Sequence, residues 1–320
     1  MNQVPYLRET QVRQWDWERE GNIRMSDGHE YQVNRREFLA ISLAVAGGAV
    51  TLRPRQAPHA GQERKATRWA FLSDTHVAAD RDHRFRGSYP YHNLQRVTDE
   101  VVADLPDGVV ITGDLARSRG RLDAYENFKT LVAPIAERRP VYLGLGNHDN
   151  RSNFLRAMDC SARDCGLVDK RHIVTVNAGP VRMIVLDTLM YVRMYAGMLG
   201  KSQRTWLETY LQICDDRPTI LFLHHPPQAQ LLDARRLLDI TIPLRKVKAI
   251  VYGHSHRYQF SQIGGLHLIN LPASGYSLSR LQPVGWVDAR LSGEGGEFTL
   301  RAIDGNKDLH GSTTSLRWRA

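Results

Sequence analysis

The chain is poor in cysteine: it has three among 320 residues, and none of them lies in a Cys-x-x-Cys pair. This number is too small for a disulfide framework, and it excludes a metal site built from thiolates. A bridge between Cys160 and Cys165 in an oxidising compartment and two separate thiols remain alternatives. No self-similarity with a period of about 20 to 50 residues is present either, which excludes a solenoid or a propeller.

A concentrated basic stripe with interleaved aromatic side chains is also lacking, although the formal net charge is +9. Nucleic acid is therefore not expected as a partner. The excess of positive charge suits a small anionic substrate, and it equally suits a solvated protein surface.

Near the N-terminus, an arginine pair is followed by one apolar run. Arg35 and Arg36 precede residues 38–52, which are rich in Ala, Val and Gly. Fifteen helical residues span about 22 Å, less than a hydrocarbon core of roughly 30 Å, so no stable membrane anchor is expected. The segment resembles a twin-arginine signal, which implies the Tat export machinery as a partner and a periplasmic or other extracytoplasmic location. Met25 is an alternative start, which would make residues 1–24 a start-site artefact.

Five short apolar runs recur along the chain, and each is followed by residues of metal-ligand type. The runs are 69–72, 109–112, 141–145, 220–223 and 249–252. They lead into Ser73-Asp74-Thr75-His76, Gly113-Asp114, Gly146-Asn147-His148-Asp149, His224-His225-Pro226-Pro227 and Gly253-His254-Ser255-His256. Such runs are typical of strands buried on both faces. Ligands placed just beyond strand ends share one rim of a sheet.

Helical patterns lie between these runs. Apolar residues three and four positions apart predict helices within 94–105, 125–135 and 206–211. Strands that alternate with helices predict an α/β domain. After the last motif, alternation and glycine turns predict antiparallel strands that complete a second sheet, at 258–263, 266–271, 285–290 and 297–303.

Taken together, the five motifs resemble those of the calcineurin-like metallophosphoesterases. Leu186-Asp187-Thr188 and Gln203-Arg204-Thr205-Trp206-Leu207 are similar to the subgroup of class III cyclic-nucleotide and glycerophosphodiester phosphodiesterases. The resemblance implies two packed mixed β-sheets flanked by helices, a four-layer α/β/β/α sandwich. We assign residues 1–60 to an N-terminal extension with the signal, 66–303 to the metallophosphoesterase domain and 304–320 to a polar C-terminal tail.

The resemblance further implies a dinuclear metal centre. One ion would be held by Asp74, His76 and His256, the other by Asn147, His224 and His254, and Asp114 would bridge both. Imidazole, carboxylate and amide donors without thiolate suit Mn, Fe, Zn or Co. The residues alone leave the choice between His224 and His225 open. His224 is taken because the family's ligand stands two residues before the proline, and His225 and Asp149 then support the ligands.

The implied chemistry is phosphoester hydrolysis by a metal-bridging hydroxide. His148 would face the substrate and stabilise the transition state or protonate the leaving oxygen, and a histidine packed beneath the site is the alternative. Arg117 and Arg151 follow the second and third motifs and are candidates for phosphate contacts. We expect a phosphodiesterase acting on a small organic phosphodiester. A phosphomonoesterase, a nuclease and a non-catalytic scaffold are the alternatives.

Two further segments bear on the substrate. Residues 80–91 follow the first motif and are candidates for the mouth of the site. Residues 190–198 contain three methionines and two tyrosines. Core packing is the default interpretation of this second segment, and a pocket lip or a dimer contact is the alternative. The oligomeric state, the native metals and the physiological substrate are not predicted.

Overall fold

The computed structural model describes residues 22–24, 30–32, 66–160, 167–168 and 170–320. The arginine pair, the apolar run after it and Cys165 lie outside these residues, so the export signal and the cysteine bridge stay predictions. In an N-terminal unit, Asn22–Arg24 (β1) and Glu30–Gln32 (β2) pair as two antiparallel strands. All other described residues belong to a second unit, Val45–Ala320.

The second unit alternates strands and helices before it ends in strands. Its strands are Ala66–Leu72 (β3), Gly108–Ile111 (β4), Val141–Leu143 (β5), Leu167–Val168 (β6), Arg171–His172 (β7), Val174–Ala178 (β8), Val181–Val185 (β9), Thr219–Phe222 (β10), Val247–Tyr252 (β11), Gln259–Ile263 (β12), Leu266–Asn270 (β13), Pro283–Ser292 (β14), Gly295–Gly305 (β15) and Thr313–Arg317 (β16). Its helices are Pro90–Asp104 (α1), Leu122–Ala136 (α2), Arg151–Ala157 (α3), Lys201–Ile213 (α4) and Ala234–Thr241 (α5). Within the described ranges, no helix has the length and apolarity needed to cross a membrane.

Two six-stranded mixed sheets form the centre of this unit. The first has the strand order β16-β15-β14-β3-β4-β5, and the second has the order β12-β13-β11-β10-β9-β8. β3, β4 and β5 are parallel to one another, as are β9, β10, β11 and β13. Because parallel strands end at the same edge of a sheet, the residues that follow β3, β4, β10 and β11 are brought to common rims.

Side chains alternate between the two faces of each strand, and this places the core. In β3, Ala70 and Leu72 face the layer that contains helices α1 and α2, whereas Trp69 and Phe71 face the second sheet. The Phe71 ring meets the Phe222 ring edge to face, with 4.8 Å between the ring centroids. Residues of α4 and α5 cover the other face of the second sheet. The predicted α/β/β/α sandwich is confirmed.

The C-terminal strands depart from the prediction. β12 and β13 complete the second sheet, but β14, β15 and β16 extend the first, and β13 runs parallel to β11. Alternation of apolar residues marks a strand without indicating which sheet it joins. Residues 304–320 also differ from a polar tail, because β16 pairs with β15 and Trp318 is buried against the core between the sheets.

Candidate metal centre

Beyond the ends of five parallel strands, β3, β4, β5, β10 and β11, the chain presents polar side chains. Five of these residues have a left-handed backbone: Asp74 (φ 52°), His76 (φ 47°), Asp114 (φ 52°), His254 (φ 66°) and His256 (φ 51°). Residues other than glycine rarely adopt this conformation, and each instance costs on the order of 1 kcal/mol. The surrounding structure therefore holds these side chains against a local preference, which is typical of a functional site.

Glycines in the motifs allow the strand ends to approach closely. A Cβ on Gly146 would lie 2.2 Å from Asp114 Oδ1, and a Cβ on Gly253 would lie 2.4 Å from Asp74 Oδ2. Both distances are far shorter than any real contact between such atoms. The glycines before Asn147 and His254 are therefore required by the crowding around the two carboxylates.

The first cluster is made of Asp74, His76 and His256. His256 Nε2 lies 3.3 Å from Asp74 Oδ1, and the Nε2 atoms of His76 and His256 are 3.2 Å apart. The other carboxylate oxygen, Asp74 Oδ2, accepts hydrogen bonds from the Ser73 hydroxyl at 2.5 Å and from the His254 backbone N–H at 2.9 Å. These bonds fix the carboxylate so that Oδ1 faces the two imidazoles.

The second cluster is made of Asp114, His224 and His254. Asp114 Oδ2 lies 3.3 Å from His224 Nε2, and it also lies 3.5 Å from His76 Nε2 of the first cluster. Asp114 Oδ1 accepts a hydrogen bond from the backbone N–H of His148 at 2.8 Å. One oxygen of Asp114 thus stands between the two clusters while the other is anchored to the third motif.

The electrostatics of the buried groups favour charged carboxylates, a charged His224 and neutral forms of His76 and His254. Burial raises the pKa of Asp114, but the charge of His224 outweighs this and leaves the pKa below its usual value. Burial lowers the pKa of His224, and the Asp114 carboxylate then raises it to about 9. Burial lowers the pKa of His76 and His254 to about 4, so both are neutral at neutral pH, which is the form that binds metal.

Several buried polar atoms of this rim lack a hydrogen-bond partner among the described residues. They are Asp74 Oδ1, Asn147 Oδ1, His224 Nε2 and His254 Nε2. Buried polar atoms are almost always paired, so four unpaired ones at one rim indicate cations as their missing partners. Carboxylate, amide and imidazole donors also match the chemistry of transition metals. The seven predicted ligands therefore lie at one rim and fit a metal centre.

Asp149 links the strand ends instead of joining the clusters. Its carboxylate accepts hydrogen bonds from the backbone N–H groups of Gly146 (2.9 Å), Leu115 (3.1 Å) and Ala116 (3.1 Å) and from the Tyr125 hydroxyl (3.0 Å). Burial raises the pKa of Asp149 to about 7, although these donors act in the opposite direction. The side chain holds the third motif against the second.

His225 differs from its neighbour His224 in what it contacts. Its Nδ1 lies 2.8 Å from the Thr188 hydroxyl, and it belongs to none of the three metal-type clusters of the described residues, the third of which is His76, Asp114 and His148. A Cβ on Gly197 would lie 2.2 Å from His225 Nδ1, so the segment around Gly197 packs directly on this imidazole. The sequence left the two histidines undistinguished, and the structure places His224 alone among the ligand-type side chains.

His148 lies beside the first cluster. Its ring is perpendicular to the His76 ring, with the centroids 5.0 Å apart and an interplanar angle of 82°. The residue is only partly buried. Its Nδ1 atom is buried and has no hydrogen-bond partner among the described residues.

Arg117 lies at the edge of the first cluster. Its guanidinium carbon is 3.9 Å above the centre of the Phe85 ring and 5.6 Å from the centre of the Tyr276 ring. The Tyr276 ring in turn lies 4.8 Å from the His76 ring and 4.7 Å from the His256 ring. The predicted mouth segment therefore reaches the site through Phe85. Neither Phe85 nor Tyr276 was among the predicted site residues.

Arg151 differs from the prediction. Its guanidinium forms a two-pronged ion pair with the fully buried Asp187, with Nε to Oδ2 at 2.5 Å and Nη2 to Oδ1 at 3.0 Å. It also donates to the backbone carbonyl of Leu189. The partner is 36 residues away in the chain, so no local pattern indicated it. These bonds commit the guanidinium to Asp187, and Arg151 is corrected to a structural residue.

The segment 190–198 is not core-packed as a whole. Tyr191 and Tyr195 are each 65% exposed, and the Tyr195 ring lies against the His254 ring with 4.7 Å between centroids. Methionine and tyrosine in one run are common in cores, so the composition concealed a segment that borders the site. Of the alternatives for this segment, a lip of the pocket agrees with the exposed position of Tyr195 beside His254.

Known proteins similar to this chain agree with the geometry. Residues 67–258 match the calcineurin-like phosphoesterase family. The chain is 28% identical over 244 residues to the 3′,5′-cyclic adenosine monophosphate phosphodiesterase CpdA of Pseudomonas aeruginosa, covering 70% of this chain and 85% of that protein. It is 26% identical over 220 residues to the glycerophosphodiester phosphodiesterase GpdQ of Enterobacter lignolyticus, covering 64% and 76%.

Among solved structures, a dimetal phosphatase from Danio rerio has a TM-score of 0.62 at 15% identity, with 79% of this chain and 99% of that chain covered. At this identity the likeness shows the fold. The match over most of the sandwich, the phosphodiesterase relatives and the metal-type rim lead to one conclusion: the chain belongs to the calcineurin-like phosphoesterase family, as a metal-dependent phosphoric ester hydrolase.

Proposed function

We propose that this protein hydrolyses a small organic phosphodiester at a two-metal centre. One observation carries the proposal: four buried oxygen and nitrogen atoms of metal-ligand type at one rim lack a hydrogen-bond partner among the described residues. The relatives of this chain are named phosphodiesterases. Two bound cations would activate water and offset the negative charge of the phosphoryl oxygens. The donor set suits Mn, Fe, Zn or Co.

The ligands divide between two ions in this proposal. Asp74, His76 and His256 would hold one ion, Asn147, His224 and His254 would hold the other, and Asp114 would serve both. The position of Asp114 Oδ2 between His76 and His224 supports the bridging role. His256 Nδ1 donates to the Tyr276 carbonyl at 2.7 Å, which leaves Nε2 as the ligand atom.

Other side chains act on the substrate. His148, which packs beside His76, protonates the leaving oxygen or stabilises charge on phosphorus. Arg117 binds a phosphoryl oxygen, and its stacking on Phe85 limits the orientations of the guanidinium. Asn147 is neutral, so it holds a cation without cancelling its charge.

An assay with chromogenic esters tests the proposal. We expect the Mn-loaded protein to hydrolyse bis(p-nitrophenyl) phosphate faster than p-nitrophenyl phosphate. Activity on the monoester alone would favour the phosphomonoesterase alternative. Metal analysis is the second measurement: a protein that holds well under one transition metal per chain and takes up no more would favour the scaffold alternative.

We also propose export through the twin-arginine route, on the basis of Arg35, Arg36 and the apolar run after them. Replacing both arginines by lysine keeps the charge and should retain the protein in the cytoplasmic fraction of the host cell. Wild-type protein found only in that fraction would contradict the proposal.

A further inference from the structure

A cavity of about 680 Å³ lies beside the candidate metal centre. It meets the centre at His256, and Tyr195, which packs on His254, forms part of its wall. Its volume is within the roughly 300–1,000 Å³ of small-molecule sites. A phosphodiester whose phosphorus lies at the metals therefore has room on this side for one entire ester substituent.

Tyr195, which forms part of the cavity wall, lies between two residues that are held by backbone hydrogen bonds. The backbone N–H of Arg193 donates to the Asn147 carbonyl at 2.6 Å, and that of Gly197 donates to the Gln230 carbonyl at 2.8 Å. The Gln230 side-chain amide donates to the Tyr195 hydroxyl at 3.1 Å. These hydrogen bonds hold the segment of Tyr195 against the metal centre and against the segment after His225. Little further ordering of Tyr195 is therefore needed when a ligand binds.

The lining is uncharged apart from one arginine and one histidine. None of the sixteen described residues that line the cavity is Asp or Glu, and five of them carry side-chain amides: Gln228, Gln230, Gln259, Asn270 and Gln282. Side-chain amides offer both hydrogen-bond donors and acceptors, so this lining favours an uncharged ligand that carries polar groups of its own.

The same lining disfavours a cation. A positively charged head group finds no carboxylate among the lining residues, and Arg257 repels it. A flat neutral ring, in contrast, stacks on the exposed face of Tyr195 and contacts Leu278 and Leu281 at the rim of the cavity.

We propose that this cavity binds one ester substituent of the substrate, and that the substituent is an uncharged ring with polar groups. The inference rests on the phosphodiesterase function proposed above. Tyr195 and the side-chain amides of the lining are the residues that determine this specificity.

Two diesters with the same p-nitrophenyl leaving group test the proposal: the thymidine 5′-ester, which carries a neutral pyrimidine, and the phosphocholine ester, which carries a cation. We expect kcat/KM of the Mn-loaded protein to be at least about tenfold higher for the thymidine ester. Calorimetric binding of thymidine 5′-monophosphate and phosphocholine should show the same order. Equal values, or a preference for choline, would overturn the inference and leave the diesterase proposal intact. Inactivity towards every diester would overturn both.

Matched variants separate the cavity from general damage. Tyr195→Ala should lower kcat/KM for the thymidine ester about tenfold and leave the choline ester nearly unchanged. Tyr191→Ala, an equally exposed tyrosine outside the lining, should change neither. An equal loss on both esters in Tyr195→Ala would contradict the assignment.

A charge placed on the rim gives the converse test. Leu281→Glu adds a carboxylate at a lining position that is 76% exposed, and it should raise the choline-to-thymidine ratio about tenfold. Leu309→Glu, at a 54% exposed position outside the lining, is the control. A ratio that does not change in Leu281→Glu would overturn the inference.

Discussion

The polar groups at the two ends of the parallel strands differ in their hydrogen bonding. At the carboxyl ends, Asp74, Asn147 and His254 have buried atoms without a hydrogen-bond partner among the described residues. At the amino ends, polar groups are bonded to one another. Asp107, just before β4, accepts from the Thr67 hydroxyl at 2.9 Å and the Arg68 backbone N–H at 3.0 Å.

Arg319 is the clearest example at the amino ends. Its guanidinium donates to five backbone carbonyls between 2.9 and 3.0 Å, those of Thr241, Ile242, Leu244, Val247 and Gly264. Two of these carbonyls lie at the C-terminal end of α5 and one at the start of β11, so one side chain joins the last residues of the chain to the second sheet.

Within one sandwich, the amino ends of the strands therefore contribute mainly to stability and the carboxyl ends to catalysis. Hydrogen bonds such as those of Asp107 and Arg319 at the amino ends stabilise the fold. The atoms at the carboxyl ends that lack a partner among the described residues leave room for cations and substrate at a cost in folding free energy. Variants at one end should therefore change activity, and variants at the other end should change stability.

The largest effect is expected for Asp114→Asn at the carboxyl ends. Loss of the shared charge should lower kcat/KM roughly 10³-fold, because metal catalysis supplies several kcal/mol. Activity and metal content are the measurements. Full activity with both metals bound would break the comparison.

His148→Ala should lower kcat by about 10²-fold or more, the usual contribution of a positioned acid or base. Metal content should stay unchanged, because His148 holds no ion in this scheme. Equal loss of both metals in the variant, measured by elemental analysis, would instead assign His148 to the ligands. His92→Ala, an exposed histidine away from the rim, is the control.

Arg319→Ala should lower the free energy of unfolding by about 2 kcal/mol, since five carbonyls lose a charged donor. Its kcat should be unchanged at temperatures where the protein is folded. Arg317→Ala, an exposed neighbour in β16, should have little effect on either quantity. Denaturant unfolding measures the difference, and equal stability of the two variants would remove Arg319 from the comparison.

The smallest effect is expected for Arg117→Ala, with KM raised about tenfold through loss of one charge-assisted contact to phosphate. The melting temperature should change little, because Arg117 is only partly buried and its guanidinium stacks on the partly exposed Phe85 ring. Arg119→Ala, two residues later and exposed, should leave KM unchanged. A stability loss without a change in KM would make Arg117 a structural arginine like Arg151.

The sandwich and its rim were predictable because their signals are local. Each apolar run and the motif after it are contiguous, so β3, β4, β5, β10 and β11 were placed within a few residues of their observed bounds. The order of the motifs then fixed which residues share a rim.

What the sequence did not reveal depends on distant partners. Arg151 pairs with Asp187, and Arg319 binds carbonyls 55 to 78 residues away. Neither partner is visible in a local pattern. The sheet assignment of β14 and β15 failed for the same reason, because it is decided by which strand edge remains open after the α/β portion has formed.

The left-handed backbone at five ligand positions also bears on how such a site disappears. Glycine adopts this conformation without strain, so a change from ligand to glycine removes both the strain and a buried polar atom. Each such change removes a metal-type ligand together with the backbone strain at its position. A lineage released from selection for hydrolysis is therefore expected to lose these residues first at the left-handed positions, while the sandwich is kept.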